Sequence, residues 1–246
     1  MKITFLGTSH GVPAADRFCT CTMIESGDAV YLIDAGVPVV NCLLEQGRAV
    51  PEVRALFTTH VHGDHTAGLF QFADLVDWYY KCPVDFYVAD QALADAVAVM
   101  IEACNGTRPP REGRTNFIVI DPSKPYQDEN IRVDFIPTKH MPETRHSYAM
   151  LVTEGERRVL FSGDLSHKLE KGDVPALLSK EPIDAFVCEM AHFDVEHILP
   201  YLESCKARAV YFQHVYPLDK YDRIRALDGK FAFSIHTPND GDSIEL

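Results

Sequence analysis

Three imidazoles and one carboxylate stand within seven residues of this chain, in the stretch Thr59-His60-Val61-His62-Gly63-Asp64-His65. The apolar run Val53 to Phe57 precedes the stretch and predicts a strand, so the polar side chains lie where a strand ends and a loop begins. Two histidines at positions i and i+2 of such a turn can bind one metal ion, and the Asp and His that follow can reach a second ion. Imidazole nitrogen and carboxylate oxygen without thiolate suit Zn, Mn or Fe. The stretch therefore predicts a metal site rather than a solvated polar loop.

Further candidate ligands follow other predicted strands. Three polar residues each stand just after an apolar, strand-like run: His140 after Ile131 to Ile136, Asp164 after Arg158 to Phe161, and His214 after Ala209 to Phe212. Side chains at strand ends are held by a rigid sheet, which a preorganised metal site requires. His236 competes with His214 for the last position, and we prefer His214 because it follows an apolar strand. The repeated placement predicts that these residues share one two-metal site.

These motifs, in this order, resemble those of the metallo-β-lactamase superfamily, and the resemblance covers nearly the whole chain. Asp34 in Tyr31-Leu32-Ile33-Asp34 matches the Asp that supports the metal loop, and residues 60–65 match the motif H-x-H-x-D-H. The resemblance implies two divalent metal ions, with zinc preferred and manganese or iron as alternatives. The implied ligands are His60, His62 and His140 for one ion, Asp64, His65 and His214 for the other, and Asp164 as the bridge.

The order of predicted elements agrees with the fold of this superfamily. Strand-rich hairpins come first, with a turn signal at Ser26-Gly27-Asp28, and units of alternating strand and helix follow later. The predicted helices are Val39 to Gln46, Asp90 to Ala103, Val174 to Ser179, Asp194 to Cys205 and Leu218 to Leu227. Two sheets packed face to face with helices outside account for this order. We therefore expect residues 1–246 to form one α/β (α+β) domain, an αββα four-layer metallo-β-lactamase sandwich.

The two ends of the chain narrow the resemblance. Phe5-Leu6-Gly7-Thr8-Ser9-His10-Gly11-Val12-Pro13 and Asp240-Gly241 are similar to the ribonuclease Z and PhnP-like phosphodiesterase branch. The resemblance implies a phosphodiesterase in which a metal-bridging hydroxide attacks a small or cyclic phosphodiester. The same ligands suit a hydrolase of lactones, thioesters or other carbonyl esters, because activated hydroxide attacks carbonyls too. A non-catalytic binding member is a third reading, disfavoured because buried polar ligands without a metal would destabilise the fold.

The reaction also needs residues that handle protons. Asp64 is expected both to bind metal and to orient the nucleophile. A leaving oxygen needs a proton, and His192 and His197, which follow another predicted strand end, are the candidate donors. The ribonuclease-Z-like branch has a Glu and a His in this neighbourhood, and this chain reads Glu189-Met190-Ala191-His192 here. His10 is a similar case, since the loop after the first strand often borders such a site.

The charge of the chain limits its partners. A formal net charge of −13 opposes binding to nucleic-acid backbones, which depends on Lys and Arg neutralising phosphates. No arm of the kind that holds tRNA in long ribonuclease Z chains is evident, so we expect a small-molecule (phospho)ester substrate and no nucleic-acid partner. The densest basic patch is Arg108, Arg111 and Arg114, in a segment rich in Pro and Gly. We hypothesise that this loop overhangs the site and helps to admit an anionic substrate.

Composition favours a cytoplasmic enzyme. No apolar run approaches the ~20 residues that a membrane span needs, so no membrane partner is expected. Seven cysteines are an odd number, and reduced thiols are their simplest interpretation. Cys19-Thr20-Cys21 resembles the C-x-C that some PhnP-like members use for a structural metal, but the further Cys of such a site is absent nearby, which favours ordinary buried thiols. A homodimer is compatible with the sequence, which does not specify an oligomeric state.

Overall fold

Two seven-stranded sheets lie at the centre of the molecule in the computed structural model, which describes residues 1–246. In spatial order the first sheet contains β14 (Ser243–Glu245), β1 (Lys2–Gly7), β2 (Cys21–Ser26), β3 (Ala29–Ile33), β4 (Val53–Phe57), β5 (Val84–Val88) and β6 (Thr115–Val119). The second sheet contains β13 (Ser234–His236), β12 (Ala207–Val215), β11 (Ile183–Met190), β10 (Arg157–Phe161), β9 (Tyr148–Glu154), β8 (Arg132–Pro137) and β7 (Tyr126–Gln127). Each sheet joins an antiparallel part to a run of four parallel strands, β3 to β6 in the first and β10 to β13 in the second.

Helices cover the outer face of both sheets, except for the short α2, which lies in the loop after β4. The helices are α1 (Val39–Glu45), α2 (Gly63–Thr66), α3 (Leu69–Leu75), α4 (Gln91–Asn105), α5 (Leu177–Lys180), α6 (Val195–Leu202) and α7 (Lys220–Arg225). Single 3₁₀ turns span Val50–Glu52 and His167–Leu169, and a π-helical turn over Val76–Tyr80 continues α3. The sequence predicted neither α3 nor the π turn. The observed helices α5, α6 and α7 are shorter than the ranges that the sequence predicted for them. None of the helices has the length and the apolar character to cross a membrane.

Apolar side chains fill three layers. The layer between the sheets joins Phe5, Tyr31 and Phe57 of the first sheet to Phe135 and Val187 of the second. Two further clusters pack α1, α3 and α4 on the first sheet, and α6 and α7 on the second. Burying each large side chain of this kind contributes about 1.5–3 kcal/mol. The predicted αββα four-layer sandwich is therefore confirmed.

A half-buried carboxylate ties the short β7 hairpin to the first sheet. Asp128 Oδ2 accepts hydrogen bonds from the hydroxyls of Tyr31 (2.5 Å) and Tyr126 (2.7 Å). Its other oxygen accepts from the backbone N–H groups of Asn130 and Ile131, both at 2.9 Å. Burial alone would raise the pKa of Asp128, but these donors lower it below its ordinary value.

The carboxyl ends of the parallel strands in both sheets point to the same edge of the sandwich. Two backbone hydrogen bonds join the sheets there, from Tyr148 N to Thr59 O and from His214 N to Thr8 O, both at 2.9 Å. Loops that follow β1, β3 and β4 therefore meet loops that follow β8, β10 and β12. Most of the polar residues singled out in the sequence lie in these loops.

The arginine loop lies at the opposite edge, so the hypothesis that it overhangs the site is wrong. Arg114 immediately precedes β6, and its carbonyl accepts a hydrogen bond from Val84 N at the beginning of β5. Arg111 Nη2 lies 3.3 Å from a carboxylate oxygen of the buried Asp77, and Arg114 Nη1 donates to the Asp77 carbonyl. These arginines hold the π-helical turn in place, because the parallel strands put the beginning of β6 at the edge away from the site.

Candidate metal centre

The loop after β4 is held by a carboxylate from the loop after β3. Asp34, with a φ of 63°, accepts hydrogen bonds from Thr59 N at 2.7 Å and from Thr59 Oγ1 at 2.9 Å. Its Oδ2 also lies 2.7 Å from His65 Nδ1. A Cβ on Gly36 would lie 1.9 Å from the carbonyl oxygen of Asp64, so only glycine lets the two loops approach this closely. Asp34 therefore supports the loop and orients His65.

One group of nitrogen and oxygen atoms converges at the end of the two sheets. It contains His60 and His62 from the first sheet with His140 and Asp164 from the second, and its ligand atoms lie within 4.8 Å of one another. The Nε2 atoms of His60 and His140 lie 3.0 Å and 3.2 Å from His62 Nδ1. Asp164 Oδ2 lies 3.7 Å from the Nε2 atoms of both His60 and His140. Three imidazoles and one carboxylate thus face a common point.

A second group adjoins the first through the same carboxylate. Asp64, His65 and His214 present ligand atoms within 4.8 Å of one another. Asp164 Oδ1 lies 3.4 Å from His65 Nε2, and Asp164 Oδ2 lies 3.5 Å from His214 Nε2. The structure therefore brings together all seven residues that the sequence nominated, with Asp164 between the two groups.

The donor atoms of these groups fit divalent metal ions. His65 Nε2 is buried and has no hydrogen-bond partner in the protein, although it faces two carboxylates. Such an atom would be costly to bury without a partner, and a metal ion would supply one. Nitrogen and carboxylate oxygen without sulfur are ligands that zinc, manganese and iron accept.

Electrostatics favours the metal-binding protonation states at three of these residues. Burial lowers the pKa values of His60 and His140, so their imidazoles are neutral near pH 7. Burial alone would raise the pKa of Asp164, but the charges of the surrounding His214 and His65 lower it and keep the carboxylate charged. His65 differs: burial would lower its pKa, but the carboxylates of Asp164 and Asp34 raise it, so its ring releases a proton when a metal ion binds.

Contacts on the far side of the imidazoles fix their orientation. His140 Nδ1 donates to Leu165 O at 3.2 Å. His214 Nδ1 lies 2.8 Å from Thr20 Oγ1 and 3.1 Å from Ser9 O. A proton on Nδ1 leaves Nε2 free to face the site, as in most histidine metal sites. Nothing in the sequence signalled Thr20, since its role depends on a contact across 194 residues.

His192 lies beside the candidate ligands and contacts the buried carboxylate of Glu189. Its Nδ1 lies 2.9 Å from Glu189 Oε1, and Glu189 also accepts from the backbone N–H groups of Leu165 and Ala191, both at 2.8 Å. Burial would lower the pKa of His192, but the hydrogen bond and charge of Glu189, with the charge of Asp164, raise it to about 9. The ring centroid lies 4.5 Å from that of His140. His192 is therefore a protonated, oriented side chain at the edge of the metal groups.

Two other candidate histidines are not brought into the site. His197 Nδ1 accepts a hydrogen bond from the backbone N–H of Asp194 at 3.0 Å, which caps α6. His236 stacks on Tyr211 with ring centroids 4.8 Å apart, on an exposed part of β13. Both belong to the structural framework, and neither contributes to a group that could hold a metal.

Cys19 and Cys21 lie outside the ligand groups, whereas His10 lies next to one of them. Cys19 and Cys21 are buried free thiols, and burial raises the pKa of both. Neither is part of a group that could hold a metal. His10 lies in the loop after β1, and Ser9, directly before it, offers its carbonyl to His214 Nδ1 of the second group at 3.1 Å. Burial and the charge of His214 lower the pKa of His10.

The sequence of this chain is similar to those of known proteins. A family model described as anti-Pycsar protein Apyc1 matches residues 1–181. The chain is 29% identical to ribonuclease Z of Oenococcus oeni over 199 residues, which is 72% of this chain and 59% of that protein. It is 27% identical to anti-Pycsar protein Apyc1 of Paenibacillus harenae over 170 residues, 67% of this chain and 68% of that protein. The matched part thus spans a little over half the length of the ribonuclease Z.

Solved structures show the same fold. The metallo-beta-lactamase fold protein YhfI from Bacillus subtilis superposes with a TM-score of 0.79 at 20% identity, covering 100% of this chain and 99% of that one. The short form of human tRNase Z gives 0.75 at 20% identity, with coverage of 100% and 99%. A diphosphatase from the PhnP family gives 0.73 at 17% identity, with coverage of 100% and 97%. The fold is therefore that of the metallo-β-lactamases, as the sequence motifs predicted.

Proposed function

The chain belongs to the anti-Pycsar protein Apyc1 family, and on that premise we propose that it is a metal-dependent phosphodiesterase acting on a small or cyclic phosphodiester. The observation that supports this most is the pair of adjacent ligand groups with Asp164 within 3.5 Å of members of the second. Relatives named ribonuclease Z support phosphodiester chemistry, and the net charge of −13 favours a small substrate over a polynucleotide.

Seven residues would hold two divalent ions. The first ion takes His60, His62 and His140, the second takes Asp64, His65 and His214, and Asp164 contributes to both. Bound there, two such ions supply a hydroxide near neutral pH and stabilise the charge that develops on phosphoryl oxygens. Zinc is the ion we propose first, with manganese or iron as alternatives.

The protein's own residues orient the reactants and move the proton. Asp64 is less buried than His65 and His214, so its carboxylate can accept a hydrogen bond from the attacking water and orient it. His192 is the proton donor that we propose for the leaving oxygen. With Nδ1 engaged by Glu189, the proton available for transfer is on Nε2, and Glu189 stabilises the charged ring before transfer.

The test is hydrolysis of bis(p-nitrophenyl) phosphate by protein reconstituted with Zn or Mn. We expect a metal-dependent rate in the wild type and no rate in Asp64→Ala. The ion content of both proteins is measured in parallel. Wild-type protein that holds two ions and does not cleave the diester would overturn the phosphodiesterase proposal and direct the search to lactones and thioesters.

A further inference from the structure

Two aromatic rings border the metal centre on one side. The rings of His10 and Tyr216 contact each other at a tilt, with centroids 4.4 Å apart and an interplanar angle of 42°. The Tyr216 side chain is 52% exposed, and exposed apolar residues flank the pair, Val12 at 66% and Leu218 at 55%. Large apolar side chains gathered at the edge of a polar site mark a surface that a ligand can cover.

The backbone places this pair next to the second ligand group. Ser9, directly before His10, offers its carbonyl to His214 Nδ1 at 3.1 Å. A Cβ on Gly11, directly after His10, would lie 3.5 Å from Asp64 Oδ2. Tyr216 follows His214 by two residues. A group stacked on these rings would therefore be part of a molecule whose other end reaches Asp64 and His214.

The His10 ring and its loop are held in place before any ligand binds. Val12 N donates to His10 Nδ1 at 3.3 Å, which leaves the proton of the neutral ring on Nε2. The backbone N–H groups of Thr8 and Phe18, at either end of the His10 loop, donate to the carboxylate of Asp240 at 2.9 Å and 2.6 Å. A loop tied at both ends loses little conformational entropy when a ligand binds, so the surface is preorganised.

We propose that His10 and Tyr216 form a stacking subsite for a planar aromatic group of the phosphodiester, of the chemical class of a nucleobase. The inference rests on the proposed function, because it assumes that the phosphodiester lies at the metal centre. Every base has a π-face, so the subsite accepts purines and pyrimidines alike and contributes binding rather than chemistry. Losing it raises KM by about 5- to 150-fold and changes kcat little.

The kinetic test uses the metal-loaded protein and its variants Tyr216→Leu and Tyr216→Phe. The substrates are adenosine and cytidine 3′,5′-cyclic monophosphates and the same cyclic ribose phosphate with a methoxy group in place of the base. We expect Tyr216→Leu to raise KM about 5- to 150-fold for the two nucleotides only. Tyr216→Phe keeps the aromatic face and should behave like the wild type. An equal change in KM for the base-free diester, or no change for the nucleotides, would overturn the subsite.

A binding measurement separates this inference from the proposed function. Calorimetric titration with the hydrolysis-resistant cyclic phosphorothioates of the two nucleosides needs no turnover. If the wild type cleaves no diester but binds these probes, and Tyr216→Leu binds them about 5- to 150-fold more weakly, the subsite stands and the phosphodiesterase proposal falls. If the wild type cleaves bis(p-nitrophenyl) phosphate and the probes bind Tyr216→Leu as tightly, or bind neither protein, the subsite falls alone.

Discussion

Replacing Asp34 by Asn should weaken the binding of one metal ion without removing a metal ligand. The Asp34 carboxylate accepts from Thr59 N and lies 2.7 Å from His65 Nδ1, so it faces two donors on opposite oxygens. An amide has one acceptor oxygen, and either orientation leaves an N–H₂ group facing a donor. The observed φ of 63° is not the difficulty, because Asn tolerates left-handed backbone. The perturbation therefore acts on hydrogen bonding and on the charge that Asp34 places beside His65.

The magnitude follows from the tautomer of His65. If the new amide nitrogen faces His65, the imidazole must carry its proton on Nε2, the atom that faces the second ion. If the amide oxygen faces His65 instead, the Thr59 N–H loses its acceptor and the loop shifts. Loss of such an outer contact to a ligating histidine costs about 10- to 100-fold in metal affinity, or about 1.4–2.7 kcal/mol. We expect this loss for the ion at Asp64 and His65 only.

The assay is a competitive titration against a chromophoric chelator, which resolves two ions per chain. Asp128→Asn is the matched control, because it removes a hydrogen-bonded, half-buried carboxylate at the end of the sandwich away from the candidate ligands. It should lower stability and leave both affinities unchanged. The role given to Asp34 would be refuted if Asp34→Asn bound both ions with wild-type affinity. It would also be refuted if Asp34→Asn and Asp128→Asn both bound the two ions equally more weakly.

Three further predictions follow from the same contacts. Chelation should lower the thermal midpoint in calorimetry, because free ion at 100 times its Kd stabilises a folded protein by about 2.7 kcal/mol per site; an unchanged midpoint would contradict bound ions. His192→Gln should lower kcat about 10²- to 10⁴-fold with metal content unchanged, whereas His197→Gln, whose side chain can still cap α6, should keep kcat within about 2-fold. The lowered pKa of Asp128 means that the native state binds this proton less readily than the unfolded state. Its stabilisation is therefore present above about pH 4 and is lost as pH falls through the lowered pKa. In urea titrations across acidic pH, the free energy of unfolding should fall less steeply with pH in Asp128→Asn than in the wild type. Parallel curves for the two proteins would contradict the role given to the Asp128 carboxylate.

The convergence of the candidate ligands was predictable because its signal is local. The spacing of His60, His62 and Asp64 after an apolar strand limits the chemistry, and Asp164 and His214 repeat the placement after other strands. Parallel strands end at one edge, so residues with this placement meet in space.

What failed depended on contacts between distant segments. Arg111 belongs to a polar loop like those at the site, and only the strand direction shows that it lies at the other edge. His192 and His197 follow the same strand, and only the capping hydrogen bond of His197 separates their roles. The contact between the rings of His10 and Tyr216 joins opposite ends of the chain, which no local pattern indicates.

The division of the candidate ligands between the two sheets has a consequence for how a metal-loaded protein would mature. His60, His62 and His65 follow a strand of the first sheet, whereas His140 and His214 come from the second, so neither half holds a complete set. On the proposed function, the second ion would be fully held only after β12 has been synthesised and the two halves have docked. Acquisition of both ions would then report that the chain is correctly assembled, and a shortage of metal would lower the amount of protein that survives proteolysis as well as its activity.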